Sequence, residues 1–327
     1  MARINRVVVF GDSFTAGDEH LQSVYYDEFM DYINKNFPRS KLTASGRYEI
    51  HPKESDMHHK VTDFQRLLLG SPAAVWHEQF NTTYGKMLAD DIGAEAINFA
   101  RGGNSFSGIF KNITDALEWA EPTDLFVIGD TFIGRETRLW EEKSEIEYRH
   151  RGVEVLPEHL QKNYKSIYDY NTIFPGRLWA ARSIKKYESY ETYSSLRMQY
   201  GDDWATHYQN AWMMLLAVKG LLTERKIPYI MINTCGMHLK KRGLTERARP
   251  FTMWDDDVDW PEYFENEMDK VHQRFRDMYF EKTLSQSSWE IQKQGRPNSQ
   301  FFGHYKSNVH YHFAQNSLIP YVRENFL

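Results

Sequence analysis

The hydroxyl of Ser13 stands where a serine can become a nucleophile. It ends the segment Val7-Val8-Val9-Phe10-Gly11-Asp12-Ser13, an apolar run of mostly β-branched residues halted by a Gly-Asp-Ser turn. Such a run reads as a buried parallel strand. Ser13 then lies at its C-terminal end, where open α/β sheets place their ligand sites. Gly-Asp-Ser is also ordinary turn chemistry. A nucleophilic serine needs a base to take its proton, and a third group usually orients that base. Three histidines, His304, His310 and His312, lie close together near the C-terminus. No nearby Asp, Glu or Cys completes a metal set around them, and they read better as histidines on a helix surface. His58-His59 with Asp56 carries metal-ligating residue types, but adjacent histidines in an exposed loop are more often unliganded. The single cysteine, Cys235, excludes an intramolecular disulfide framework and any Cys-rich zinc site, and reads as a buried thiol at a strand end.

The elements that must position these residues alternate along the chain. Strands are expected at Arg6–Phe10, Ala94–Phe99, Asp124–Ile128 and Pro228–Asn233, and helices at Trp76–Leu88, Ile109–Trp119, 204–225 and Tyr311–Arg323. This alternation predicts an α/β fold, a three-layer α/β/α sandwich around a mostly parallel sheet of five or so strands. The helix over 204–225 places Trp212, Leu215, Leu216 and Leu222 at helical spacing. Its apolar centre, Ala211 to Val218, is broken by Lys219 and is too short to span a bilayer. Three stretches interrupt the alternation and are expected as insertions in one domain spanning 1–327, at about 18–75, 132–200 and 238–300. The second is charged and Tyr-rich and reads as a helical excursion over the C-terminal edge of the sheet. There is no internal repeat and no low-complexity linker.

Four segments, in chain order, resemble the blocks of the SGNH/GDSL hydrolase superfamily. Phe10-Gly11-Asp12-Ser13-Phe14 is similar to the first block, whose serine is the nucleophile. Asn98-Phe99-Ala100-Arg101-Gly102-Gly103 is similar to the second, in which a glycine N–H helps hold an oxyanion; Gly103 aligns with that glycine and Asn104 follows it. A tight strand-to-helix turn accounts for Gly-Gly-Asn-Ser equally well. In the third block, normally Gly-x-Asn-Asp, the chain reads Gly129-Asp130-Thr131-Phe132, so Thr131 stands where the family has an oxyanion-binding asparagine. Arg135-Glu136 is similar to a variant with Gly-x-Thr followed by Arg-x-Glu, in which the arginine orients the site or a substrate carboxylate. A surface ion pair reads as well there.

The last block resembles Gly303-His304, with His310, Ala314, Leu318 and Pro320 following at the family's spacing. His304 aligns with the catalytic histidine. An alternative alignment on Ser307 uses His310. The family's aspartate before the histidine is absent, since Phe301 and Phe302 occupy the two positions, and Tyr305 replaces its proline. The resemblance implies a flavodoxin-like SGNH fold and a serine esterase, plausibly one deacetylating a carbohydrate or small-molecule ester. Ser13 and His304 would be catalytic, and Ser13, Gly103 and Thr131 would form the oxyanion hole. Asp12, Asn104, Asp130, Arg135 and His310 would support the site. It implies no metal and no organic cofactor. The rival expectation is a catalytically impaired SGNH-fold protein that binds or builds. Long aromatic-rich insertions between such blocks are similar to those of SGNH-like proteins of tailed bacteriophages.

Composition narrows the partners. A formal net charge of −5 gives no support for a nucleic-acid-binding surface. The apolar run at Val7 is one strand long and leads straight into Gly11-Asp12, so no signal peptide is expected. The expectation is a soluble cytoplasmic protein with no membrane partner, in the host cytoplasm if phage-encoded. The sequence holds no Gly-x-Ser-x-Gly elbow, no Walker A loop and no Gly-x-Gly-x-x-Gly fingerprint.

Overall fold

Strand β1 (Arg6–Phe10) is buried on both faces, as its unbroken apolar run requires: Val7 and Val9 enter one core, Val8 and Phe10 the other. The computed structural model describes residues 3–17, 20–42, 48–49, 51, 64, 68–70, 72–100, 104–131, 136–140, 169–173, 204–234, 278–294, 300–301 and 304–327. Among these, β1 is joined by β2 (Glu95–Asn98), β3 (Asp124–Gly129) and β4 (Tyr229–Ile232) in one sheet of order β2-β1-β3-β4, every pair parallel. Four parallel strands thus stand among the described residues where five or so were expected.

Helices cover each face, and their apolar periodicity shows which. On one face α1 (Tyr84–Ile92) contributes Tyr84, Leu88 and Ala89. On the other, α2 (Phe106–Ala116) contributes Ile109, Ile113 and Ala116, and α3 (Trp204–Glu224) contributes Ala211, Leu215, Val218 and Leu222. The first face is completed by α4 (Leu284–Lys293), α5 (Ser307–Phe313) and α6 (Ile319–Asn325), through Leu284, Val309, Phe313, Ile319 and Val322. Caps set two of these helices. Thr83 Oγ1 accepts from the Lys86 amide at 3.4 Å and Gly93, at φ 68°, closes α1, while Ser105 Oγ accepts from the Gly108 amide to open α2. At the N-terminal edge of the sheet, Arg6 forks onto the buried Asp124 carboxylate at 2.6 and 2.7 Å, which pins β1 to β3 and raises the guanidinium pKa.

Several expectations are corrected. The helix expected at Trp76–Leu88 is two, Pro72–Asn81 and α1, because Thr82 and Thr83 turn back onto Gln79 and Phe80 carbonyls and end the first. The C-terminal helix begins at Ser307 rather than Tyr311, and α5 and α6 are joined by a π turn, Ala314–Leu318. There the Ile319 amide reaches the Ala314 carbonyl, five residues back, just before Pro320, which has no N–H to give. In the stretch expected as a helical excursion, the described segments Glu136–Trp140 and Asp169–Ile173 are antiparallel strands; Thr137, Tyr170 and Thr172 are strand formers, and charge density masked that preference. The first expected insertion contains an amphipathic helix, Tyr26–Asn36, whose Phe29 and Ile33 pack with Phe37 and Phe64 in a small core of their own.

Candidate active site

The sheet order fixes where an open α/β sheet places its ligands. From β1 the chain steps one way to β2 and the other way to β3, so the topological switch point is the C-terminal edge between β1 and β3. The turn Ser13–Ala16 leaves β1 there. It is a single helical turn, with the Thr15 and Ala16 amides donating to the Asp12 carbonyl at 3.1 and 2.8 Å.

Side chains stitch the four strand exits together. Thr131, past the end of β3, turns its hydroxyl toward Asp12 Oδ2 (3.0 Å) and the Asn104 carbonyl (2.8 Å). Asn104 Nδ2 donates to the Gly11 carbonyl at 3.2 Å, and its Oδ1 accepts from the Ser105 amide. Asp130 Oδ1 accepts from the amide and the hydroxyl of Thr234, beyond β4, at 2.7 and 2.8 Å. Asn98 folds back to accept from the Ala100 amide, which steers the exit of β2. Asp12, Asn104, Asp130, Thr131 and Thr234 are all buried. Polar groups at such depth are tolerated only when paired; here the pairing ties the strand exits to one another.

Below these exits sits a residue that sequence reasoning passed over. The Thr15 side chain lies between Gly11 and Gly129, where a Cβ on either glycine would collide with it. Tyr84 Oη donates to Thr15 Oγ1 at 3.0 Å. The Tyr84 ring stacks on His310, with centroids 5.2 Å apart, and the Tyr84 amide donates to His310 Nδ1 at 3.4 Å. An accepting Nδ1 assigns the His310 proton to Nε2. His310 also meets His20 edge to face at 4.3 Å, and His20 Nδ1 lies 2.8 Å from Thr82 Oγ1. The expectation of a helix-surface His310 is therefore corrected: the ring is fully buried, because α5 turns Val309, His310 and Phe313 inward together. A polar residue in register with an inward apolar face was the available signal.

Of the expected catalytic pair, the structure brings together the elements that carry them, the Ser13–Ala16 turn and the His304–Tyr305 strand. The short strand His304–Tyr305, paired antiparallel with Gln300–Phe301, packs against the Ser13–Ala16 turn, and Tyr305 shares a core with Ala16. Lys306 follows in extended conformation, and burial pushes its ammonium pKa down from 10.5. His312 lies apart, 3.8 Å from Glu290. Gly103 and Arg135 fall outside the described residues, as do Cys235, Asp56, His58 and His59. Among the described residues no three of His, Cys, Asp or Glu gather as a metal site, and no helix is long and apolar enough to cross a membrane.

No family model matches the chain, and no curated protein matches it. Among solved structures it is similar to a carbohydrate esterase whose active site is described as displaying divergent catalytic and non-catalytic binding functions. That match covers 100% of this chain and 70% of the other, at a TM-score of 0.34 and 10% sequence identity.

Proposed function

We propose that the chain is a serine hydrolase of SGNH type, one domain over 1–327, acting on an ester of a carbohydrate or small molecule. The observation that carries this reading is the packing of the His304–Tyr305 strand against the Ser13–Ala16 turn, at the switch point of a parallel sheet. That packing supports a serine and a histidine from opposite ends of the sequence working together at the sheet edge where α/β folds bind ligands. Ser13 Oγ attacks the acyl carbon as His304 takes its proton. The C–O bond to the alcohol then breaks, and His304 returns the proton to the leaving oxygen. Water reverses the same steps to free the acid. The Ser13 and Gly103 amides hold the tetrahedral oxyanion. Thr131 fixes Asp12 and the Asn104 segment that follows Gly103, since its one hydroxyl proton is directed to those two acceptors. In the oxyanion role expected for it, that proton would have to turn outward. Asp130 holds Thr234 and the end of β4, and Arg135 orients the site or a substrate carboxylate.

The acid before His304 is missing, so its ring is oriented by a backbone carbonyl in 300–302 or by a carboxylate from an insertion. A neutral partner in place of a triad acid costs about 10⁴ in turnover, and slow hydrolysis is the expectation. The inward commitment of Thr131 favours a second reading, an SGNH-fold protein that binds without cleaving. Assays on p-nitrophenyl acetate and acetylated sugars separate the two. Weak activity in the wild type, abolished by Ser13→Ala and by His304→Ala, is the expected result. A wild type no faster than both variants on every substrate gives the case to the binding protein.

A further inference from the structure

We propose that Thr15 and Tyr84 are positioning residues for the nucleophile turn, locked by a buried circuit through His310, His20 and Thr82; this rests on the hydrolase reading of Ser13. The turn that carries Ser13 is four residues long, and its Thr15 and Ala16 amides both fall back on the Asp12 carbonyl. One helical turn does not hold itself in water. Its orientation must come from outside, and Thr15 is where the outside takes hold. The Thr15 side chain occupies a slot between Gly11 and Gly129, with Tyr84 Oη bonded to its hydroxyl at 3.0 Å. The slot spans the ends of β1 and β3, the two strands that bound the crevice.

Tyr84 is itself fixed from several directions. Its ring lies on His310 with an interplanar angle of 24° and meets Phe313 edge-on at 5.4 Å. Its amide, one of the orphan donors at the start of α1, finds its acceptor in His310 Nδ1. His310 abuts His20, and His20 returns to Thr82, two residues before Tyr84. Thr15, His20, Tyr84 and His310 are all fully buried. Apolar side chains would fill this space without the cost of desolvating hydroxyls and imidazoles. The directional bonds of Tyr84 to Thr15 and His310, and of His20 to Thr82, do what apolar packing does not: they favour one arrangement over several similar ones. His310 belongs to α5, which begins directly after the His304–Tyr305 strand. The circuit therefore ties the turn of the nucleophile to the helix that follows the strand carrying the base, and a misplacement of about 1 Å between such groups can cost 10²-fold in rate.

The test uses the full chain with Tyr84→Phe, Thr15→Val, Thr15→Ser and the double variant Tyr84→Phe/Thr15→Val. Two rates are read, kcat and KM on p-nitrophenyl acetate and the rate at which a fluorophosphonate modifies Ser13, with the melting temperature beside them. The expected result is a roughly tenfold fall in kcat and in modification rate for Tyr84→Phe and for Thr15→Val, with KM within about twofold. The double variant falls no further than the worse single one, because both remove the same bond. Thr15→Ser, which keeps the hydroxyl, retains the wild-type rates. Losses that multiply in the double variant, or that only track a lost folded fraction, overturn the proposal. A wild type that the probe modifies no faster than Tyr84→Phe overturns it alone. A wild type that the probe does not modify at all overturns the hydrolase reading, and this proposal with it.

Discussion

Thr131 shows how much one residue decides. In the sequence it stands in for an asparagine that would donate outward; in the structure its hydroxyl faces Asp12 and the Asn104 carbonyl. A residue's type was legible there and its direction was not, because both acceptors come from distant parts of the chain. Lys306 makes a separate statement through pH. Burial lowers its pKa from 10.5, so between the folded value and 10.5 the unfolded chain holds a proton that the folded one has released. Stability therefore rises with pH across that window, and below it the buried charge counts against the fold. Denaturant midpoints followed up to 10.5 should climb more steeply in the wild type than in Lys306→Met. Identical slopes would show that Lys306 does not titrate differently in the two states.

At the scale of elements, short-range patterns were readable and long-range pairings were not. Val7 to Phe10 read as a strand because a strand buried on both faces must be apolar throughout. Trp212, Leu215, Leu216 and Leu222 read as a helix from their spacing, but the covered face is Ala211, Leu215, Val218 and Leu222, and Leu216 is exposed. The break at Thr83 escaped notice because apolar spacing continues across it from Phe80 to Tyr84 and Leu88. The strands Glu136–Trp140 and Asp169–Ile173 pair across a long separation, which no local window reports. The seat of Thr15 is an element-level feature too, formed only when β1 and β3 lie side by side. At Gly129 a Cβ would fall on Thr15 Oγ1 and stand 3.0 Å from both Thr234 Cγ2 and Tyr84 Oη. Gly129→Ala should therefore cost about 1–3 kcal/mol as an overpacked core position. Gly220→Ala, in α3 with nothing within 4 Å of the new methyl, should instead gain about 0.5–1 kcal/mol from helix propensity. Equilibrium unfolding in urea checks both, and a Gly129→Ala midpoint equal to the wild type would mean that the slot is not closed as described.

For the molecule as a whole, sheet order is what turns scattered residues into a site. The order β2-β1-β3-β4 puts the exits of the first and third strands side by side, and side-chain bonds bind all four exits into one rim. The C-terminal segment then returns across the first face of the sheet and lays the His304–Tyr305 strand on the Ser13 turn. A function confined to binding requires the rim but makes no demand on a reactive serine. Covalent modification tests that difference most directly: the intact protein is incubated with a fluorophosphonate and the adduct is located by peptide mass spectrometry. One adduct on Ser13 is expected, formed slowly and lost in His304→Ala. An unmodified Ser13, or modification equally fast without His304, would contradict it.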